Sequence, residues 1–121
     1  ALIKAERIQD KAAHAGFDWK KPEDVWQKVK EEVSEVEAEL TTGTESDKEA
    51  EFGDLLFSLI NAARLYKVNV DNALERTNRK FISRFNYIEQ KAKEQGKSLD
   101  EMTLAEMDEL WNEYKKIERI K

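Results

Sequence analysis

Six charged side chains between residues 28 and 54 could do chemistry together: Lys28, Glu31, Glu32 and Glu35, then, past a short polar break, Glu51 and Asp54. Offsets of three and four on a helix return side chains to nearly one heading, so the first four fall within about a 100° arc. Three carboxylates then share a face. Like charges a few ångströms apart repel strongly, and four or five facing carboxylates need cations or protons to be tolerable. All-oxygen ligation suits hard Mg²⁺, Mn²⁺ or Ca²⁺. Cysteine is absent and the single histidine is His14, placed at the end of the first helix rather than in a site. The competing reading is a solvated face on a charge-rich helical chain; a second acidic pair on the next helix, beside apolar stripes, weakens it.

Two antiparallel helices are needed to hold these groups. Thr41 to Asp47 is a polar break in which Gly43 suits a helix C-terminus and Ser46, with Glu49 three residues on, has the pattern of a capping box. A loop this short returns the second helix beside the first and sets Glu51 and Asp54 across from Glu32 and Glu35. Pro22, followed by Glu23 and Asp24, suits the first turn of the first helix, and Val25, Val29, Val33, Val36 and Leu40 form its apolar stripe. In the second helix, about 47 to 66, the expected stripe is Phe52, Leu56, Leu59 and Ala63, with Glu51, Asp54, Ser58 and Asn61 forming a polar line. Leu55, Phe57 and Ile60 spread apolar surface round most of the circumference, more than a small monomer can cover. Asn61 either hydrogen-bonds within the bundle or contacts substrate.

The remaining chain is helical in character. With 121 residues, one proline, four glycines and 39% charged residues, it reads as one all-α domain, a bundle of long helices. A first helix to about Ala15 turns Leu2 or Ile3, Ala5, Ile8, Ala12 and Ala15 inward. Gly16-Phe17-Asp18-Trp19 breaks it, and the two aromatics either anchor that helix or border a base-stacking pocket. After a turn and cap at Val68 to Asp71, a long helix runs to about Gln95 and ends at Gly96. Val70, Leu74, Phe81, Phe85 and Ile88 serve its packing, beside an i, i+4 column of Arg76, Lys80 and Arg84. That column is surface charge or, facing a metal cluster, a triphosphate clamp. Thr103 with Glu106 caps the last helix, docked by Leu104, Met107, Leu110, Trp111, Tyr114 and Ile117; Lys115 stands one turn beyond Trp111. A net charge of −5 argues against a nucleic-acid surface. No apolar run approaches the roughly 18 residues of a membrane span. Lack of cysteine and a charged start unlike a secretory signal fit a soluble, cytoplasmic setting. The absent initiator Met suggests a processed start or an excised fragment.

Glu31-Glu32-Val33-Ser34-Glu35, then fifteen residues, then Glu51-Phe52-Gly53-Asp54 resembles the EExxE…ExxD signature of MazG-type all-α nucleoside triphosphate pyrophosphohydrolases. Asn78-Arg79-Lys80-Phe81, Arg84-Phe85 and Trp111 with Lys115 extend the resemblance over most of the chain. Some such proteins carry two tandem copies of the domain, and this chain resembles the C-terminal one. The resemblance implies a homodimer that completes a central four-helix arrangement. It implies hydrolysis of nucleoside triphosphates to monophosphate and pyrophosphate, for nucleotide-pool cleansing or regulation. Mg²⁺, with Mn²⁺ as a substitute, would sit on Glu32, Glu35, Glu51 and Asp54. Glu31 would orient or deprotonate the attacking water, or touch the metal. Lys80 and Arg84 would hold the pyrophosphate charge, and Lys28, Asn61, Trp111 and Lys115 would complete the nucleotide pocket. A dCTP- or dUTP-preferring enzyme or a phosphoribosyl-ATP pyrophosphohydrolase is the near alternative. A helical interaction module with solvated carboxylates is the distant one. A di-iron bundle would need Glu-x-x-His motifs that one histidine near the N-terminus cannot supply.

Overall fold

In the computed structural model, which describes residues 1–120, the helices are α1 (Leu2–His14), α2 (Pro22–Thr42), α3 (Glu45–Leu65), α4 (Val70–Glu94) and α5 (Leu104–Ile120). A 3₁₀ turn covers Leu99–Glu101, and no strand occurs among the described residues. The fold is all-α, as expected. Two compact units divide it, Ala1–Ala73 and Leu74 onward.

In the first unit, Pro22 opens α2 at a position whose backbone N–H would have no helical partner, with Glu23 and Asp24 at the positive end of the helix. Gly43 ends it in an extended conformation, φ −78° and ψ 156°. What requires a glycine there is close approach: a Cβ would lie 2.7 Å from the Glu39 carbonyl oxygen. Thr44 then caps α3, its Oγ1 accepting the Asp47 N–H at 3.1 Å while Asp47 Oδ2 accepts the Thr44 N–H at 3.3 Å. The capping box is therefore Thr44 with Asp47 rather than Ser46 with Glu49, and α3 begins two residues earlier than expected. Only Gly43 and Thr44 separate the helices, so α3 returns antiparallel along α2.

The α2 residues buried along this seam are Val25, Val29, Glu32 and Val36, at heptad spacing. Val25 and Val29 pack on Ala62, with Leu55 and Leu65 at the margins. Each buried valine contributes roughly 1.5 kcal/mol. Val33 and Leu40, expected in the stripe, stay exposed. On α3 the inner line is Glu51, Leu55, Ser58, Ala62 and Leu65, one residue back from the expected Phe52, Leu56 and Leu59, which face solvent. That is a rotation of about 100°; small Ala62 lets the α2 valines approach, and the turn carries Glu51 inward.

Helix α1 also packs on α3, with Leu2, Ala5 and Ala12 turned inward as expected and Gln9 in place of Ile8. Ile3 and Ile8 are exposed, and the inner line is Leu2, Ala5, Gln9 and Ala12. Gln9 holds the contact by donating its Nε2 to the Phe57 carbonyl at 3.0 Å. His14 lies at the end of α1, its Nδ1 2.8 Å from the Asp10 carbonyl. Gly16 leaves the helix at φ 93°, a conformation that favours glycine. Asn69 Oδ1 accepts the Asn72 N–H at 3.0 Å and so caps the first turn of α4.

In the second unit, α4 meets α5 through buried Ile88, Ala92, Met102 and Leu110, bordered by Tyr87, Leu99, Met107 and Trp111. Gly96, at φ 71°, releases the chain from α4. Ser98 with Glu101 caps the 3₁₀ turn. Thr103 with Glu106 caps α5 as the sequence indicated, the Glu106 N–H reaching Thr103 Oγ1 at 3.1 Å. Leu74, Phe81 and Leu104, expected as packing residues, are exposed. Leu104 sits in the first turn of α5, ahead of the buried stretch around Leu110.

Candidate metal and nucleotide site

Three carboxylates converge where α2 and α3 meet. Glu32 lies on the buried line of α2, Glu35 is three residues on at its solvent edge, and Glu51 is in the second turn of α3. One oxygen from each lies within 4.8 Å of the others. Two unit charges at that separation repel by about 3 kcal/mol at an effective dielectric of about 20, less where solvent reaches Glu35. Lys28 answers only part of this charge. Its Nζ is 3.0 Å from Glu32 Oε1 and 3.8 Å from Glu31 Oε2. Glu32 Oε2 and Glu51 Oε2 are buried with no hydrogen-bond partner among the described residues.

The electrostatics agree with that geometry. Burial, first, and then the Glu35 charge and a hydrogen bond shared with Glu35 raise the Glu51 pKa above its ordinary 4.5; Asp54 and Glu32 add to the effect. A group in this position takes up a proton or a cation. Oxygen donors alone, two of them buried and unpaired, fit a hard divalent ion. Asp54, one turn beyond Glu51, stays exposed and lies outside the three-carboxylate group, although its charge acts on Glu51. Glu31 is at the exposed rim.

Asn61 belongs to a different part of this unit. It follows Asp54 by seven residues, which returns it to the same α3 face about 10 Å along the axis. There it lines a groove of about 520 Å³ with Phe17, Trp19, Phe57 and Gln9. Arg64 donates from Nε and Nη2 to Asn61 Oδ1, at 3.1 and 2.9 Å, and pairs with both oxygens of Asp18. That guanidinium holds the Asp18 carboxyl below its usual pKa. It also ties the Phe17–Trp19 loop to α3. The two aromatics, which the sequence offered as anchors or as a stacking pocket, stand on an open groove.

The other expected ligands lie in the second unit. Arg84 donates from Nε and Nη2 to the two carboxylate oxygens of Glu118, at 3.3 and 3.1 Å, and its guanidinium carbon stands 5.1 Å from the centre of the Trp111 ring. Trp111 is half-buried, with Phe81 5.4 Å away, centroid to centroid. The cation on its face is thus Arg84. Lys80 is exposed and Lys115 half-buried. Sequence reasoning did not find Gln9, Asp18 or Arg64. Asp18 and Arg64 are 46 residues apart, and no local pattern links them.

Fold and site together describe an all-helical protein whose α2–α3 hairpin gathers carboxylates suited to a divalent cation. Residues 20–88 match the MazG nucleotide pyrophosphohydrolase domain, and the chain belongs to that family. The match includes every carboxylate of the site and ends within α4, before Trp111 and Lys115. Among curated relatives, the chain is 40% identical over 115 residues to the nucleoside triphosphate pyrophosphohydrolase/pyrophosphatase MazG of Thermotoga maritima, covering 95% of this chain and 44% of that protein. It is 37% identical over 120 residues to the nucleoside triphosphate pyrophosphohydrolase of Escherichia coli K12, covering 98% and 46%. It is 55% identical over 75 residues to the uncharacterized protein YabN of Bacillus subtilis, covering 62% and 15%. The chain thus spans less than half the length of each of these relatives.

Proposed function

We propose that this chain hydrolyses nucleoside triphosphates between the α and β phosphates, with Mg²⁺ as the cofactor and Mn²⁺ as a substitute. The products are a nucleoside monophosphate and pyrophosphate, and the role is cleansing or regulation of the nucleotide pool. The observation that carries this reading is the Glu32, Glu35 and Glu51 cluster, with two buried oxygens unpaired among the described residues, inside the family match. Glu32, Glu35, Glu51 and Asp54 are the proposed ligands. A divalent cation held there neutralises charge at the α-phosphate and makes a nearby water more acidic.

The protein's own groups do the rest. Lys28 holds one oxygen of Glu32, leaves the other without a partner among the described residues, and is near enough to Glu31 to join a nucleotide pocket. Glu31, at the exposed rim, orients the attacking water or takes its proton. Lys80 and Arg84 take the charge that builds on pyrophosphate, and Trp111 and Lys115 contact the nucleotide. Phosphate must then replace Glu118 on Arg84. Asn61 and the aromatic groove receive the base; Asn61 stands about 10 Å along α3 from Asp54, the proposed ligand nearest to it on that helix.

A homodimer completing a four-helix arrangement belongs to the same proposal. Its support is the exposed apolar line Phe52, Leu56 and Leu59 on α3, at the spacing of a helix-packing seam. Nucleic acid and membrane are not among the proposed partners: the net charge is −5, and no helix among the described residues is long and apolar enough to cross a membrane. The test is a panel of NTPs and dNTPs with Mg²⁺, the products separated by chromatography. Monophosphate with pyrophosphate is expected; diphosphate with orthophosphate would overturn the mechanism.

A further inference from the structure

A residue of the groove wall, Gln9, carries a buried hydrogen-bonding group that no described residue uses. Gln9 is 5% exposed, its Nε2 donates to the Phe57 carbonyl, and its Oε1 is buried with no partner among the described residues. Reversing the amide would set two acceptors against each other, so the Nε2 bond fixes which end is free. A buried acceptor without a donor is costly and uncommon. This one belongs to a residue lining a groove walled by Phe17, Trp19 and Phe57, side chains whose faces can stack on a flat ring. Asn61, in the same groove, is fixed in the complementary sense. Its Oδ1 accepts twice from Arg64, so the amide end left for a ligand is the donor Nδ2.

We propose that Gln9 selects the base: its Oε1 accepts an N–H from the exocyclic amino group of cytosine or adenine and disfavours uracil and hypoxanthine. The inference rests on the groove being the base site of the pyrophosphohydrolase. Uracil and hypoxanthine carry a carbonyl oxygen where cytosine and adenine carry the amino group. The acceptor is covered in the unliganded chain, and an amino group that projects from the ring is the part of a base that would reach it once the side chains over it shift. A ring N–H flanked by a carbonyl brings that oxygen toward the acceptor as well. Because the Phe57 carbonyl pins the amide, Gln9 cannot turn its donor to meet such a base. A site built to satisfy one hydrogen bond rejects the analogue that lacks it, on the order of tenfold or more.

The experiment compares CTP with UTP and ATP with ITP, pairs that differ at the group in question. Affinity is measured by calorimetry in Ca²⁺ and turnover in Mg²⁺, for the parent and for Gln9→Leu. The parent should favour CTP and ATP by on the order of tenfold. Gln9→Leu should bring them down to the level of UTP and ITP while leaving those two within about threefold, a split that general damage to the fold does not produce. Should that variant fail to fold by circular dichroism, the parent's two ratios decide alone. Equal affinities together with turnover overturn the Gln9 assignment and leave the pyrophosphohydrolase reading standing. A preserved affinity order without turnover does the reverse. No binding and no turnover removes the groove as a base site and the Gln9 assignment with it.

Discussion

The carboxylates of the α2–α3 hairpin and the guanidinium of Arg84 are both charges on helix faces, and the protein provides for them in opposite ways. Arg84 has its two-pronged partner in Glu118 and an aromatic face in Trp111. Among the described residues, Glu32, Glu35 and Glu51 have one lysine between them, and two of their oxygens are buried without a partner. A satisfied charge contributes to its own unit's stability whether or not a ligand arrives. An unsatisfied cluster raises the energy of the folded chain until a cation or proton comes, and so marks where binding energy is available. Both faces look alike in sequence, as acidic or basic residues three and four apart.

The largest effect should fall on the unsatisfied side. Glu35→Gln and Asp54→Asn should each lower triphosphate hydrolysis by about 10²-fold or more, because an amide neither binds the cation as strongly nor neutralises the site. Full turnover in both variants would make these carboxylates a solvated face. Next come Lys80→Ala and Arg84→Ala, each expected to lower turnover by on the order of 10²-fold. Stability should separate them. Arg84→Ala strands Glu118 and should cost about 1–2 kcal/mol in denaturant unfolding, while Lys80→Ala, which empties an exposed position, should cost nothing measurable. Equal stability losses would remove the contrast between a satisfied and an unsatisfied charge.

The effect of pH gives a smaller test with a definite sign. Glu51 has a raised pKa, so in EDTA the folded chain keeps a proton that the unfolded chain has released. Its contribution is present in full below about pH 4.5 and is lost as pH rises through the raised value. Saturating Mg²⁺ should flatten that decline, and Glu51→Gln should abolish it without metal. Asp18 runs the other way: its lowered pKa stabilises the fold above its ordinary 3.8, and that support is lost as acid protonates it. Asp18→Asn should cost about 1 kcal/mol or less, since the pair is partly open to solvent. Unfolding midpoints across pH 3 to 7 would register both slopes.

Much of this was legible in the sequence, and the misses share one cause. Helix identities, the short α2–α3 return and the convergence of Glu32, Glu35 and Glu51 follow from spacing, because helix geometry acts over three or four residues. Which face each helix buries does not. Phe52, Leu56 and Leu59 make as good a stripe as Leu55, Ala62 and Leu65, and only the valines of α2 choose between them. Gln9 is buried beside exposed Ile8 because its amide meets the Phe57 carbonyl, a contact across 48 residues. Thr44 wins over Ser46 as the cap because α2 continues to Thr42, leaving two residues for the turn.

The most direct test of the central claim, that unmet carboxylate charge marks a cation site, is thermal unfolding of the parent, Glu35→Gln and Glu51→Gln in EDTA and in excess Mg²⁺. In EDTA the variants should be as stable as the parent or more so, having lost a repelling charge. With Mg²⁺ at a hundred times Kd the parent should gain roughly 2.7 kcal/mol, and the variants much less. A parent whose unfolding ignores Mg²⁺, or variants that gain as much as it does, would contradict the account.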